Sequence, residues 1–258
     1  MSNATKDFRV DSLGVQIYDS ETELALSVSS IVQQDLQQII NHKQTATILF
    51  ATGNSQLKFL DALTNLSDID WSRIICFHLD EYLGISAEHS SSFRYYLRER
   101  VEKRVSPQKF HYIEGDTLQP LQECDRYSKL LTAQPIDLCF LGIGENGHLA
   151  FNEPSVADFN DRYMVKLVKL DAVNHQQQVD SGYFPNLESV PKYAFTLTIP
   201  IICAAKKIIC LAPGKRKAKL IKQLLEGNIT REFPASILRN QPQANLFLDT
   251  DAASLINS

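Results

Sequence analysis

The residues best able to do chemistry lie between Gly142 and Pro154, where the chain reads GIGENGHLAFNEP. His148 sits there among Asn146, Asn152 and Glu153, and the glycines let the backbone pass close to whatever the loop holds. An imidazole can shuttle protons near neutral pH when one ring nitrogen is held and the tautomer fixed, and Glu153 or Asn146 could hold it. A second candidate is HLDEY, with Asp80 and Glu81 adjacent. Successive side chains of an extended segment point to opposite sides, so at most one of the two faces a shared site. A carboxylate at a strand end acts as a general base once burial raises its pKa, while a turn or helix cap is the plainer reading. A third is ATGNSQ, where Thr52, Gly53, Asn54 and Ser55 form a strand-to-helix turn. Free N–H groups and hydroxyls there make an anion site, although a turn merely capped by Ser55 reads equally well. Lys217, in APGKRKAKL, follows a strand and glycine turn in the same manner and adds a cation, or is a solvated helix charge. His78, Asp80, His89 and His148 are of metal-ligand type, but neither H-x-x-x-H nor HExxH spacing occurs, and no metal is expected. His111 and His175 lack clustered acids and read as surface or packing residues.

Alternating strands and helices must position these groups. GVQIYDS reads as a strand, followed by an amphipathic helix from Glu21 to about Ile40. TATILFA, RIICFHL and IDLCFLG are apolar strand-like runs, each leading into one of the three polar loops. QLKFLDALTNL, SSSFRYYLRERVEKRV and PLQECDRYSKLLTA have helical spacing, and KFHYIEG is a short strand. YAFTLTIP, KKIICLAPG, a helix from Lys215 to Leu225 and ANLFLDT complete the pattern. Near-continuous apolar strands separated by helices predict an α/β fold: a mainly parallel sheet with helices on both faces. With no repeat or linker, one domain over residues 1–258 is expected. In such a sheet ligands bind at the carboxyl ends of the strands, so the three loops should gather on one edge.

Composition narrows the partners. The 258 residues are 44% hydrophobic and 22% charged, ordinary for a globular protein. A formal net charge of −4 gives no electrostatic reason to expect nucleic acid. No apolar run is long enough for a bilayer and the start lacks a signal-peptide core, so no membrane association and a cytoplasmic location are expected. Cys76, Cys124, Cys139, Cys203 and Cys210 are odd in number and form no CxxC pair, which argues against disulfide and zinc frameworks.

HLDEYLGISAEHSSSFRYYL together with LGIGENGHLAFNEP closely resembles the glucosamine-6-phosphate deaminase (isomerase) family. The similarity continues in order through ATGNSQ, VPKYAFTLTI, GKRKAKLIKQLLEG and FPASIL, nearly the whole chain. The resemblance implies a single Rossmann-like α/β domain. It implies conversion of glucosamine 6-phosphate and water to fructose 6-phosphate and ammonia, without a cofactor. By motif position Asp80 would be the base of the enolisation, His148 the ring-opening residue, and Glu153 and Asn146 its orienting partners. Thr52, Gly53, Asn54, Ser55 and Lys217 would bind the phosphate.

Three positions depart from the family pattern. Asn146 stands where some members carry aspartate, and His78 where asparagine is common, close enough to the motif to affect substrate choice. Gly182, in QQQVDSGYF, falls near a phosphate-binding arginine of many members, so another cation or a different pocket is expected. Galactosamine 6-phosphate is an alternative substrate. A 6-phosphogluconolactonase-like hydrolase and a non-catalytic sugar-phosphate sensor are the rival functions, but neither needs the full set Asp80, His148 and Glu153. Some relatives are hexamers activated by N-acetylglucosamine 6-phosphate through a basic cluster after the FNEP motif. Here that segment is SVADFNDRYMVKL, with Tyr163 and Val165 at the cationic positions and Arg162, Lys166 and Lys169 nearby. A monomer or small homo-oligomer without that activation is expected.

Overall fold

The computed structural model describes residues 4–256. In chain order its strands are β1 (Lys6–Val10), β2 (Leu13–Tyr18), β3 (Ala46–Phe50), β4 (Ile74–His78), β5 (Asp80–Tyr82), β6 (Lys109–Phe110), β7 (Leu138–Leu141), β8 (Val165–Lys169), β9 (Tyr193–Leu197), β10 (Lys207–Leu211) and β11 (Ala244–Asp249). The helices are α1 (Glu21–Lys43), α2 (Leu57–Thr64), α3 (Phe93–Leu97), α4 (Lys103–Val105), α5 (Pro120–Ala133), α6 (Ala172–Asp180), α7 (Ile199–Cys203) and α8 (Ala218–Glu226). Eight strands form one sheet in the order β1-β2-β11-β10-β7-β3-β4-β6. Only the β1–β2 hairpin at its edge is antiparallel. The mainly parallel sheet expected from the apolar runs is therefore present.

Its central strands are buried on both sides because helices cover both faces. On one face, Leu24, Val28, Val32, Leu36 and Ile40 of α1 recur every four residues and pack with Phe59 and Leu63 of α2 against Ile48, Phe50 and Phe140. Ser20 starts α1 by accepting from the Glu23 amide at 3.2 Å. On the other face, Tyr127 and Leu131 of α5 and Ile221 and Leu224 of α8 pack against Leu49, Phe77 and Cys210.

A second, three-stranded antiparallel sheet, β5-β9-β8, was not anticipated from the sequence. Leu79 joins the two sheets. Its N–H donates to Phe50 O at 3.1 Å and its carbonyl accepts from Leu197 N at 2.8 Å. The next residues, Asp80 and Glu81, pair with Thr196 and Phe195, and alternation sends their side chains apart. Other details differ from the pattern-based reading. KFHYIEG keeps only the two-residue strand β6, and the helix opening at Phe93 passes through a π-helical turn at Arg98–Glu102 before α4.

Glu81 takes the inward side and is fully buried. It accepts from Ser92 Oγ at 2.6 Å and from the amides of Tyr82, Phe93 and Arg94 at 2.9, 3.1 and 2.9 Å. A carboxylate at the start of α3 thus satisfies donors that the helix itself cannot. Glu81→Ala leaves those donors unpaired and is expected to lower the unfolding free energy by about 3 kcal/mol. The urea midpoint checks this; a loss below about 1 kcal/mol would show that Glu81 is dispensable to the fold.

Candidate active site

A cleft of about 820 Å3 opens where β3, β4, β7 and β10 end, and the three polar loops line it. Thr52, Gly53, Asn54, Ser55, Asp80, His148 and Lys217 all face this space. Asn146 and Glu153 do not line it; they stand against the imidazole of His148. The sequence-derived set is thus brought together in one place, in two layers.

His148 packs directly on Gly144, where an added Cβ would lie 2.0 Å from Nε2, so any side chain there would displace the ring. Gly147 has a φ of +82°, and a Cβ there would meet the Phe233 ring at 2.5 Å. These two glycines let the loop fold tightly around the imidazole. Nδ1 of His148 lies 2.8 Å from Asn146 Oδ1 and 2.9 Å from Glu153 Oε1. Two acceptors on Nδ1 place the ring proton there and leave Nε2 as the nitrogen able to accept one. Glu153 has no exposed surface. Burial alone would raise its pKa, but donors from His148, Asn146 and Asn174 outweigh that and hold it below the usual glutamate range.

Asp80 is 7% exposed, and among the described residues no side-chain hydrogen bond to its carboxyl is found. Burial, and secondarily the charge of Glu81, push its carboxyl well above the usual aspartate range. The two adjacent acids therefore separate: Asp80 is a desolvated group facing the cleft, and Glu81 is a cap.

The far wall is cationic. Gly214 turns the chain at φ +92°, and its N–H is held by Asp249 at 3.0 Å. Lys217 then reaches back to donate to Ile143 O at 2.6 Å. Burial lowers the pKa of this ammonium. Lys215, Arg216 and Lys219 line the same wall. Elsewhere in the lining, Gly53 has a φ of +102°, Asn54 accepts from Tyr183 OH at 3.0 Å, and Ser55 Oγ accepts from Gln56 at 3.1 Å. Ser55 is not the cap of α2: Gln56 holds that position, without a side-chain cap bond. The capped-turn reading of ATGNSQ is corrected accordingly.

His78 is corrected as well. It is fully buried in β4 and its Nε2 accepts from the Ile113 amide at 2.9 Å. Burial drives its pKa down to about 3, so it is a neutral packing residue behind the sheet edge and does not line the cleft.

A family model for glucosamine-6-phosphate isomerases/6-phosphogluconolactonase matches residues 19–247. The chain belongs to that family. A glucosamine-6-phosphate deaminase from Lactobacillus delbrueckii subsp. bulgaricus is 35% identical over 210 residues, covering 81% of this chain and 87% of the relative. One from Listeria monocytogenes is 33% identical over 242 residues, 94% of this chain and 100% of the relative. Among solved structures, a monomeric glucosamine-6-phosphate deaminase aligns with a TM-score of 0.86 at 31% identity, covering 93% of this chain and 99% of that one. A 6-phosphogluconolactonase from Thermotoga maritima aligns at 0.74 with 18% identity, covering 91% and 98%, a likeness of fold alone.

Within this family fold, α6 carries contacts that the motifs did not reveal. Asn174 donates to Glu153 Oε1 at 2.7 Å, and Gln177, Gln178, Ser181 and Tyr183 line the cleft. The available signal was the i,i+4 spacing of Asn174 and Gln178, which puts two carboxamides on one helix face. Gly182 has a φ of +77°, and a Cβ there would meet nothing within 4 Å.

Proposed function

We propose that the protein converts glucosamine 6-phosphate and water to fructose 6-phosphate and ammonia. The observation that carries this reading is one cleft shared by Asp80 and His148, with Glu153 buried behind the imidazole. Relatives of 33% and 35% identity named glucosamine-6-phosphate deaminase support it.

In the pyranose, Nε2 of His148 takes the anomeric hydroxyl proton and returns it to the ring oxygen, breaking the bond from C1 to that oxygen. The freed C1 aldehyde acidifies the C2–H. Asp80, made more basic than an exposed aspartate by its burial, removes that proton to give an enolamine. Asp80 returns that proton to C1, which leaves a ketimine at C2. Water adds there, ammonia leaves, and the ketose remains. Glu153 stabilises the imidazolium that forms in transit, and Asn146 holds Nδ1 without adding charge. Thr52, Gly53, Asn54, Ser55 and Lys217 bind the 6-phosphate, and Lys215, Arg216 and Lys219 supply the positive charge that Gly182 lacks. Assaying ammonia and fructose 6-phosphate from glucosamine 6-phosphate, with galactosamine 6-phosphate and 6-phosphogluconolactone in parallel, tests the reading. Hydrolysis of the lactone alone would overturn it.

Asp80→Asn separates chemistry from folding. Turnover and exchange of the C2 hydrogen with solvent should fall together by roughly 100-fold or more, with substrate still bound. A raised folded pKa means that ionised Asp80 destabilises the protein increasingly as pH rises from the ordinary aspartate range through the folded pKa. The variant should therefore melt higher than wild type at neutral pH. Near-normal turnover would remove Asp80 from the mechanism.

Lys217→Ala should lower kcat/KM for glucosamine 6-phosphate by roughly 10- to 100-fold. Use of unphosphorylated glucosamine should change little, because the anchor acts on the phosphate. Equal losses on both sugars would mean that Lys217 only supports the loop through Ile143.

The protein acts as a monomer or small oligomer without activation by N-acetylglucosamine 6-phosphate. In the segment after FNEP, Arg162 donates to Tyr163 OH at 2.7 Å, and Lys166 bonds Asp161 at 2.7 Å, so these charges already have neighbours within the chain. An effector that meets no convergent cations gains no differential affinity for two states. Velocity curves should be hyperbolic with or without the N-acetyl sugar phosphate; sigmoidal curves relieved by it would contradict this.

A further inference from the structure

Asn174 lies 21 residues beyond Glu153 in sequence and 2.7 Å from it in space. It is 1% exposed, in the first turn of α6, where Asp171 caps its amide at 2.8 Å. Gln178, one turn on, donates to Asn174 Oδ1 at 3.3 Å. Because that oxygen already accepts, the carboxamide must present its NH2 to Glu153. Gln178 is itself 6% exposed and lines the cleft. A continuous polar chain thus runs from the cleft wall through Gln178, Asn174 and Glu153 to the Nδ1 of His148.

We propose that Asn174 is a positioning residue: it fixes and keeps ionised the Glu153 carboxylate that orients His148, with Gln178 setting the direction of its carboxamide. The inference rests on the deaminase reading for its kinetic consequence but not for its electrostatic one. Glu153 is buried, and a buried carboxylate stays charged only with enough donors. Three reach it: Asn146 and His148 from the loop, and Asn174 from α6. Of these His148 alone is ionisable. On α6 the acids are engaged elsewhere, Asp171 with the Asn174 amide and Asp180 with Gln176. Asp80 and Lys217 line the cleft, whereas Glu153 does not.

Two replacements of Asn174 pull in opposite directions. Asn174→Ala removes a donor, so Glu153 protonates more readily, and the deficit in kcat relative to wild type should grow as pH falls. In Asn174→Asp the introduced carboxyl can donate only while protonated. Its deficit should shrink at low pH and grow as pH rises, when two buried carboxylates repel. KM should stay near wild type in both. A purely structural role would depress both variants by a pH-independent factor.

The experiment is a pH series of kcat on the three proteins, with 13C NMR titration of the Glu153 carboxyl. We expect the Glu153 midpoint to rise by about one unit in Asn174→Ala, the worth of one charge-assisted hydrogen bond. An unchanged midpoint, or parallel pH-independent losses in the two variants, would overturn the proposal. If wild type released no ammonia, the functional reading would fail, while the carboxyl titration would still decide the role of Asn174.

Discussion

Two backbone hydrogen bonds at Leu79 set the geometry on which the candidate site depends. The residue ends the parallel ladder on Phe50 and begins the antiparallel one on Leu197. A strand that stayed in the large sheet would carry Asp80 onward among parallel neighbours. Instead the chain changes sheets one residue earlier, and Asp80 emerges at the sheet edge beside the ends of β3 and β7. Because side chains alternate along a strand, a slip of one residue would put Glu81 in the cleft and Asp80 in the interior. The hydrogen-bond donors gathered around Glu81 oppose that slip, since an inward aspartate, one methylene shorter, would not reach all of them. The cap and the cleft-facing acid are two results of one register.

Three buried carboxylates show how neighbours divide one chemical group into three tasks. Glu81 meets four donors and the Arg94 guanidinium at 3.4 Å, which makes it structural. Glu153 meets three side-chain donors, one of them the imidazole it holds by Nδ1. Asp80 meets none among the described residues, and burial and then the Glu81 charge push its pKa up. Burial is common to all three. What differs is the number of donors, and that number decides whether the carboxylate is locked or left reactive.

Much of this was legible in the sequence because it is local. Runs such as TILF, IICF and DLCFL announce buried parallel strands, and the polar residues after each must then meet at one edge. Residues 142–154 likewise carry their own geometry, since Gly144 lies against the histidine it accommodates and Gly147, next to it in sequence, turns the loop at φ +82°. What was not legible depends on distant pairing. The small sheet is built from Asp80–Tyr82 and Val165–Lys169, segments too short or too polar to declare themselves before β9 lies between them. His78 looked close to the site because it is two residues from Asp80. Its backbone, however, belongs to the large sheet, and its ring turns inward to the Ile113 amide. Asn174 offered only its i,i+4 spacing with Gln178 as a sign, because its partner Glu153 is brought to it by the tertiary fold.

The cationic wall shows what Gly182 changes. The chain as a whole is negative, at −4, yet four basic residues between Lys215 and Lys219 border the cleft, while Glu21 on its rim is tied to Lys58 at 2.7 Å. Exposed cations such as Lys215 and Arg216 attract an anion over a distance of about 8–10 Å but hold it loosely, because water and salt screen them. Lys217 is different: partly desolvated and anchored on Ile143, it keeps donors for a ligand in a less screened setting. An arginine would have offered a planar fork that fixes both position and orientation of a phosphate. Lys215, Lys217 and Lys219 are point charges and fix position only, and the guanidinium of Arg216 on the same wall is exposed to solvent. On the proposed reading, orientation must then come from the Thr52–Ser55 turn, where Gly53 bends the backbone and Tyr183, one residue past Gly182, steadies Asn54. On that same reading, Tyr183 beside Gly182 supports the turn that supplies the direction.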